Sequence, residues 1–307
     1  MRFSVYGKAL LGFPGPSSLD ARRPPTSPLA TANLMRFGVI ADVHANLHAL
    51  DAALAFLSTQ DVDGYLCAGD LVGYGPLPNE CVRRLADLPV RCVAGNHDLI
   101  ALERLSDENC IPLAQASLRW TRQVLDDDVR TLLENLPTGA TVQGVALHHG
   151  SVTDPEEYVL TQAQALVCLD DLERVAPAAE ILILGHTHRP MAIGRRGGSL
   201  LRRRTGTVTL PPGEPVVLNP GAVGQSRSRD VRARVMVLDL AAREATFHAL
   251  SYDVARCRQA LRERGLPATS CHLPRSRRED AVGVAKRGVR RVQSSIGKAP
   301  ARRDPFG

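Results

Sequence analysis

The stretch ILILGHTHRP (residues 181–190) joins a short apolar run to two histidines that are separated by a single threonine. Four consecutive apolar residues followed by glycine are typical of a buried strand that ends at a tight turn. In an extended chain, residues i and i+2 point to the same side. The spacing therefore predicts that His186 and His188 present two imidazoles to one place, just beyond the end of a strand.

Four other β-type runs, FGVIA, GYLCA, VRCVA and GVALH, also end at side chains of the kind that bind metal ions. In an open α/β sheet, a site lies beyond the carboxyl ends of the strands, so these segments are expected to converge at one edge. The polar residues at these strand ends are Asp42, His44, Asp70, Asn96, His97, Asp98, His148 and His149.

This set of carboxylate, amide and imidazole groups suits borderline divalent ions such as Mn, Fe, Zn, Ni or Co, and does not suit calcium or a thiolate cluster. Seven ligands drawn from these ten residues are too many for one tetrahedral ion, but they fit two ions that share a bridging carboxylate. A single histidine, or GNHD alone, has simpler structural explanations, such as packing or an Asx turn. Ligands at the ends of five separate strands favour a metal centre over those explanations.

Between residues 35 and 267, strand-like runs alternate with segments of helical periodicity such as NLHALDAALAFLSTQ (46–60). This alternation predicts an α/β fold. After residue 190, consecutive strand-like segments predict a mostly antiparallel half. A last helix is predicted in DVARCRQALRERG (253–265), because a glycine and then a proline follow it.

The two ends of the chain differ in composition from the body. Residues 1–34 are rich in proline, serine and glycine, and residues 268–307 hold ten basic and three acidic residues. Both are predicted to be disordered extensions of a domain spanning 35–267. Because the ends carry the positive charge and the body has a net charge of −4, the composition argues against a nucleic-acid-binding fold.

The seven cysteines are odd in number and show no CxxC spacing, which is typical of a reduced, cytoplasmic protein. No apolar run approaches the roughly 20 residues that a membrane span requires, and the N-terminus lacks the layout of a signal peptide. We therefore expect no membrane partner. The sequence offers no basis for predicting an oligomeric state.

Five motifs occur here in the order found in calcineurin-like metallophosphoesterases. They are D-x-H (42–44), GD (69–70), GNHD (95–98), HG (149–150) and GHTH (185–188). Longer strings, including ADVHANLHAL and LNPGAVGQSR, resemble the small bacterial and archaeal phosphodiesterase branch of that superfamily. The resemblance covers residues 35–267. It implies a four-layer α/β/β/α sandwich, in which two mixed β-sheets are flanked by helices.

The resemblance also implies two divalent metal ions, with manganese the expected choice in vitro. By resemblance, Asp42, His44, Asp70 and His188 hold the first ion. Asp70, Asn96, His149 and His186 hold the second, so that Asp70 bridges the two. By resemblance, the ligand of the fourth motif is the histidine before the glycine, so His149 is chosen over His148. Only one of the two can be a ligand, because neighbouring residues of a strand point to opposite faces.

The implied activity is hydrolysis of a small phosphodiester or nucleotide by attack of a metal-bound hydroxide. His97 would contact a phosphoryl oxygen or donate a proton to the leaving group, and Asp98 would orient its ring and support its charged form. The alternatives are a non-catalytic scaffold of the same fold, a nuclease and a phosphomonoesterase. The complete ligand set favours an enzyme, and the short connections between motifs favour a small phosphorylated substrate over a phosphoprotein.

Two loops have both functional and structural interpretations. In LNPGAVGQSR and just beyond it, backbone N–H groups and the arginines Arg227 and Arg229 could reach the substrate, or Pro220 could simply set a turn. In GYGPLPNEC, Tyr74 and Asn79 could shape a wall of the site, or the segment could lead into a helix near Pro78.

Overall fold

The computed structural model of this chain describes residues 36–199, 201 and 204–273. The predicted extension 1–34 and the predicted tail from residue 274 onward lie outside these residues, so disorder there stays a prediction. The described chain continues past residue 267 as a turn against the body. There the backbone N–H of Leu273 donates to the carbonyl of Ser226 at 2.9 Å.

The described residues form twelve strands and seven helices. The strands are β1 (Arg36–Ile40), β2 (Gly64–Cys67), β3 (Val90–Cys92), β4 (Gly139–Val142), β5 (Val145–His148), β6 (Ile181–Ile183), β7 (Met191–Gly194), β8 (Gly198–Ser199), β9 (Gly206–Thr209), β10 (Val216–Asn219), β11 (Ala233–Asp239) and β12 (Glu244–Leu250). The helices are α1 (Leu47–Leu57), α2 (Pro78–Ala86), α3 (Asn96–Ala101), α4 (Pro112–Val124), α5 (Asp127–Glu134), α6 (Gln162–Val175) and α7 (Val254–Glu263).

Three helices lie where the sequence predicts them. The side chain of Asn46 caps α1 by accepting from the N–H of Ala49, and that of Asp253 caps α7 by accepting from the N–H of Arg256. Helix α2 begins at Pro78, a residue whose missing N–H costs nothing in the first turn. No described helix is both long enough and apolar enough to cross a membrane.

The strands form two six-stranded sheets with the orders β3-β2-β1-β11-β12-β9 and β4-β5-β6-β10-β7-β8. Each sheet is mixed. In the first, β1, β2 and β3 are parallel and β11 is antiparallel to β1. In the second, β5, β6 and β10 are parallel, while β4 and β7 are antiparallel to their neighbours.

The prediction that the strands after residue 190 are mostly antiparallel is confirmed, with β10 beside β6 as the parallel exception, but these strands do not form a separate half. The late strands do not form a sheet of their own. Instead, β11, β12 and β9 extend the first sheet, and β10, β7 and β8 complete the second. The physical reason is burial: β10 is apolar at Val216, Val217 and Leu218 and fully buried, so it packs beside the apolar β6 inside a sheet.

Several inner strands, such as β1 and β6, are apolar on both faces, and this builds the layers. In β1, Phe37 and Val39 face the apolar cluster between the sheets, whereas Ile40 faces the cluster under α1 and α2. In β6, Ile183 faces the same central cluster, whereas Leu182 packs under α6. Two sheets with helices on both outer faces make the four-layer α/β/β/α sandwich that the resemblance implied.

Candidate metal centre

The predicted ligands follow the ends of β1, β2 and β6, but they do not lie in extended chain. Five of them adopt the left-handed backbone region, with φ between 47° and 63°. They are Asp42, His44, Asp70, His186 and His188. The extended-chain explanation for the i, i+2 spacing is therefore wrong. Tight left-handed turns follow the strands instead, a conformation that non-glycine residues adopt only when the surrounding structure imposes it. These turns bring Asp42 and His44 together, but they direct His186 and His188 to two different groups, so the prediction that both imidazoles serve one place is wrong.

The first group of ligand-type atoms comprises Asp42, His44 and His188, all buried. The Nε2 atoms of His44 and His188 lie 3.1 Å apart. The Nε2 atom of His188 also lies 3.5 Å from Oδ1 of Asp42. The three side chains thus point at one place, although 144 residues separate His44 from His188 in the sequence.

The second group comprises Asp70, His149 and His186, also buried. Between the rings of this group lies Oδ1 of Asn96, which is 3.1 Å from Nε2 of His149 and 3.0 Å from Nδ1 of His186. The structure therefore brings Asn96 into the second group, as the sequence predicts.

One carboxylate oxygen lies between the two groups. Oδ2 of Asp70 is 3.2 Å from Nε2 of His149 and 3.5 Å from Nε2 of His44. This is the position that a bridging ligand requires. With it, all seven predicted ligands lie in one buried cluster.

The outer nitrogen of each histidine ring lies at a backbone carbonyl oxygen. A carbonyl only accepts, so the outer nitrogen carries the proton, and in the neutral ring the inner nitrogen presents a bare lone pair. The pairs are His44 Nδ1 with Val72 (3.1 Å), His149 Nδ1 with Ala68 (2.7 Å), His188 Nδ1 with Gln225 (2.8 Å) and His186 Nε2 with Glu156 (3.0 Å).

Several acceptors consequently face one another without a donor between them. The facing Nε2 atoms of neutral His44 and His188 repel each other, and Oδ2 of Asp42 is buried without a hydrogen-bond partner among the described residues. Buried acceptors in this arrangement are costly unless a cation joins them. The donor set and its geometry therefore fit bound divalent metal ions.

The electrostatics of the cluster point the same way. Burial lowers the pKa of His44 to about 3 and that of His188 well below its usual value, so both rings are neutral, as metal ligation requires. Burial raises the pKa of Asp42 to about 7, which shows how poorly this carboxylate is compensated by the protein alone. Burial would lower the pKa of His149, but the adjacent Asp70 raises it to about 10. The metal-free His149 ring is therefore protonated near pH 7, and a cation bound at Asp70 would displace the extra proton from this ring.

The histidine of GNHD lies beside the first group. Its backbone N–H donates to Oδ1 of Asp70 at 2.8 Å, and its ring packs 4.8 Å from His44 and 4.7 Å from Tyr74 between centroids. Burial lowers the pKa of His97 to about 4, so the ring is neutral near pH 7. His97 is thus placed at the metal cluster without belonging to either group.

Asp98 does not orient this ring, contrary to the prediction. Its Oδ1 accepts from the N–H groups of Leu71 and Val72 at 2.8 and 3.1 Å, and its Oδ2 accepts from Gly95 at 2.9 Å. Nδ1 of His97 has no hydrogen-bond partner among the described residues. The reason is that Asp98 occupies the first turn of α3, where a carboxylate binds the backbone at the helix start.

The choice between the neighbouring histidines agrees with the prediction. His149 is buried in the second group, whereas His148 ends β5, pairs with Gly139 of β4 and lies outside both groups. A side chain at Gly139 would overlap the ring of His148, so that ring packs over the neighbouring strand.

Two aromatic residues and an arginine complete the surroundings. Tyr74 is buried and its ring contacts those of His44 and His97, so it forms part of the wall, as the sequence suggested. Tyr158, which sequence reasoning missed, packs edge-on against His186 with centroids 4.0 Å apart. Its hydroxyl accepts from Arg227 at 3.0 Å. Tyr158 lies in an irregular loop with no motif, so no local signal marks it.

Known proteins resemble this chain over most of its length. A family model described as a calcineurin-like phosphoesterase superfamily domain matches residues 35–243. A metallophosphoesterase from Sphaerobacter thermophilus is 33% identical, with a TM-score of 0.67 over 78% of this chain and 97% of that one. The uncharacterized protein MJ0912 of Methanocaldococcus jannaschii is 29% identical over 75% of this chain and 93% of that protein. A hypothetical protein from Pyrococcus horikoshii OT3, 19% identical, matches the fold with a TM-score of 0.63 over 78% of this chain and 99% of that one.

Proposed function

This chain belongs to the calcineurin-like phosphoesterase superfamily, and we propose that it is a dinuclear metal-dependent phosphodiesterase acting on a small phosphodiester or nucleotide. One observation carries the proposal: Oδ2 of Asp70 lies between two buried ligand groups whose ring nitrogens face inward. Two divalent ions bound there, manganese first among Mn, Fe, Zn, Ni and Co, would act as Lewis acids that polarise a phosphoryl oxygen and acidify water.

The residues of this chain have distinct parts in that reaction. In this proposal, one ion site consists of Asp42, His44 and His188, and the other of Asn96, His149 and His186, with Asp70 shared. A phosphate that touches both sites then has a fixed orientation. The carbonyl acceptors on the outer nitrogens keep the rings in the tautomer and orientation that ligation needs.

His97 is the proposed proton donor. It is neutral near pH 7, and its ring is held beside the first group by the backbone bond to Asp70 and by Tyr74. A neutral imidazole still carries one N–H, which can donate to a phosphoryl oxygen or to the leaving-group oxygen.

We place the protein in a reducing compartment such as the cytoplasm. All seven cysteines are free thiols, and six of them are buried. A secreted protein of this kind would be expected to pair some of its cysteines.

The test is hydrolysis of bis-p-nitrophenyl phosphate and of p-nitrophenyl phosphate by metal-stripped protein, with Mn, Ni, Zn or Mg restored. We expect metal-dependent cleavage with the diester preferred, and loss of turnover in Asp70→Ala and His97→Ala. Metal content should fall in the first variant and persist in the second. His148→Ala is the control that should keep both activity and metal.

Preference for the monoester would contradict the diesterase assignment while leaving the phosphoesterase intact. Absence of turnover with every metal, together with absence of bound metal, would overturn the proposed function as a whole.

A further inference from the structure

A buried arginine lies beside the ligand groups without a carboxylate partner. Arg227 is only 7% exposed. Its Nε donates to Oε1 of Gln225 at 3.2 Å, and its Nη1 donates to the Tyr158 hydroxyl at 3.0 Å and to the carbonyl of His186 at 3.4 Å. All three acceptors are neutral. Within the described chain, no carboxylate forms an ion pair with this guanidinium, and Nη2 has no acceptor.

An unpaired buried charge is unfavourable unless an anion joins it in the working state of the protein. The protein nonetheless holds the guanidinium rigidly, because neutral groups bind two of its nitrogens and the Tyr158 ring lies 5.9 Å from its carbon Cζ. Such an arrangement orients a cation without neutralising it.

The guanidinium faces the metal cluster. The bond to the carbonyl of His186 places it next to the second group. Gln225 connects it to the first group as well, because its carbonyl lies 2.8 Å from Nδ1 of His188 while its Oε1 accepts from Nε of Arg227. A positive charge next to two divalent ions needs an anion between them.

We propose that Arg227 is a substrate-binding residue whose free Nη2 donates to a non-bridging oxygen of the phosphate, with Tyr158 and Gln225 as the positioning residues that hold it. This inference rests on the proposed function and extends it to the recognition of the anion. Arginine suits the task, since its planar fork can bind phosphate oxygens without losing its charge.

Arg229 lies two residues further on and offers a matched comparison. It is exposed, and no bond to the described residues is found for it, so the sequence-based suggestion that both arginines reach the substrate is supported for Arg227 alone. Arg229→Ala removes the same charge from the same loop without touching the cluster.

The experiment compares Arg227→Ala, Arg227→Lys, Tyr158→Phe and Arg229→Ala in the holoenzyme, loaded with the metal that gives the highest activity. Metal content, melting temperature, kcat and KM for bis-p-nitrophenyl phosphate, and binding of orthophosphate by calorimetry are measured for each. Calorimetry reports on Arg227 even in a protein that does not turn over the ester.

In Arg227→Ala, we expect orthophosphate affinity and kcat/KM to fall by at least about 30-fold, the loss of one or two charge-assisted hydrogen bonds, with both ions retained. Arg227→Lys should keep part of the affinity because it keeps the charge. Tyr158→Phe should raise KM more than it lowers kcat, and Arg229→Ala should match the wild type.

Unchanged orthophosphate affinity in Arg227→Ala would overturn the inference, as would loss of metal in both Arg227 variants, which would make the role structural. Either result leaves wild-type phosphodiesterase activity standing. An inactive wild type whose orthophosphate binding still depends on Arg227 would instead contradict the proposed function and support the anion site.

Discussion

Replacement of Asp98 separates a structural role for this carboxylate from the catalytic role that its motif suggests. In Asp98→Ala, three buried backbone N–H groups lose the acceptor that they share, at distances of 2.8, 3.1 and 2.9 Å. Each unmet buried donor costs about 1–3 kcal/mol, so we expect the free energy of unfolding to fall by about 3–9 kcal/mol. That is a large part of the about 5–15 kcal/mol that folded proteins possess.

The milder substitution Asp98→Asn keeps one oxygen and replaces the other by an NH₂ group. If the oxygen stays with Leu71 and Val72, the NH₂ group faces the N–H of Gly95 and cannot accept from it. We expect a loss of about 2 kcal/mol, which leaves a protein that still folds.

The assay is urea unfolding of metal-free protein, so that changes in metal binding do not enter the measured stability. Asp51→Ala is the control, because Asp51 is a partly exposed carboxylate paired with Arg84 and should contribute less than about 1 kcal/mol. If Asp98→Asn unfolded at the wild-type urea concentration and yet lost most of its kcat, the backbone-binding role would be refuted. The orienting role inferred from sequence would then be restored.

Three further outcomes are expected. His149→Ala should lose bound metal while His148→Ala keeps it, as measured by elemental analysis, and equal losses would contradict the assignment of the ligand. A Cβ at Gly95 would overlap the carboxylate of Asp70, so Gly95→Ala should weaken metal binding by at least about 10-fold in titrations against a chelating dye, and unchanged affinity would disprove that steric argument. Burial lowers the pKa of His248 below 6.5, so its neutral ring stabilises the fold above that pH and this stability is lost as the pH falls toward the folded-state pKa. His248→Gln should therefore lose less stability than the wild type between pH 7 and about 5.5 in urea unfolding, and parallel losses would count against it.

The ligands were predictable because each follows an apolar strand that sequence patterning identifies. That Asp42 and His186 follow strands depends on the order of strands and polar residues alone, and not on any atomic detail. The prediction of a single sheet edge is wrong, because β1 and β2 belong to the first sheet and β6 to the second, and the cluster lies where the strand ends of both sheets meet. The bridging role of Asp70 came instead from the family resemblance, and the position of its Oδ2 between the two groups agrees with that role.

The features that sequence analysis missed depend on contacts between segments far apart in the chain. Arg227 and Tyr158 are 69 residues apart, and nothing in either local sequence indicates that their side chains meet. The strands after residue 190 could pair in several ways, because their apolar patterns are alike. Local sequence therefore does not indicate that these strands are divided between the two sheets. The role of Asp98 was mistaken because a carboxylate after a histidine suggests a dyad, whereas the turn of α3 directs it to the backbone.

The left-handed turns that hold the ligands have a consequence for how this protein would change under selection. A non-glycine residue in that region costs about 1–2 kcal/mol, and five ligands occupy it. Glycine at any of these positions would remove the local cost and the ligand together. Selection for heat resistance alone therefore would not protect the site, so screens for robust variants need a chemical readout beside the thermal one.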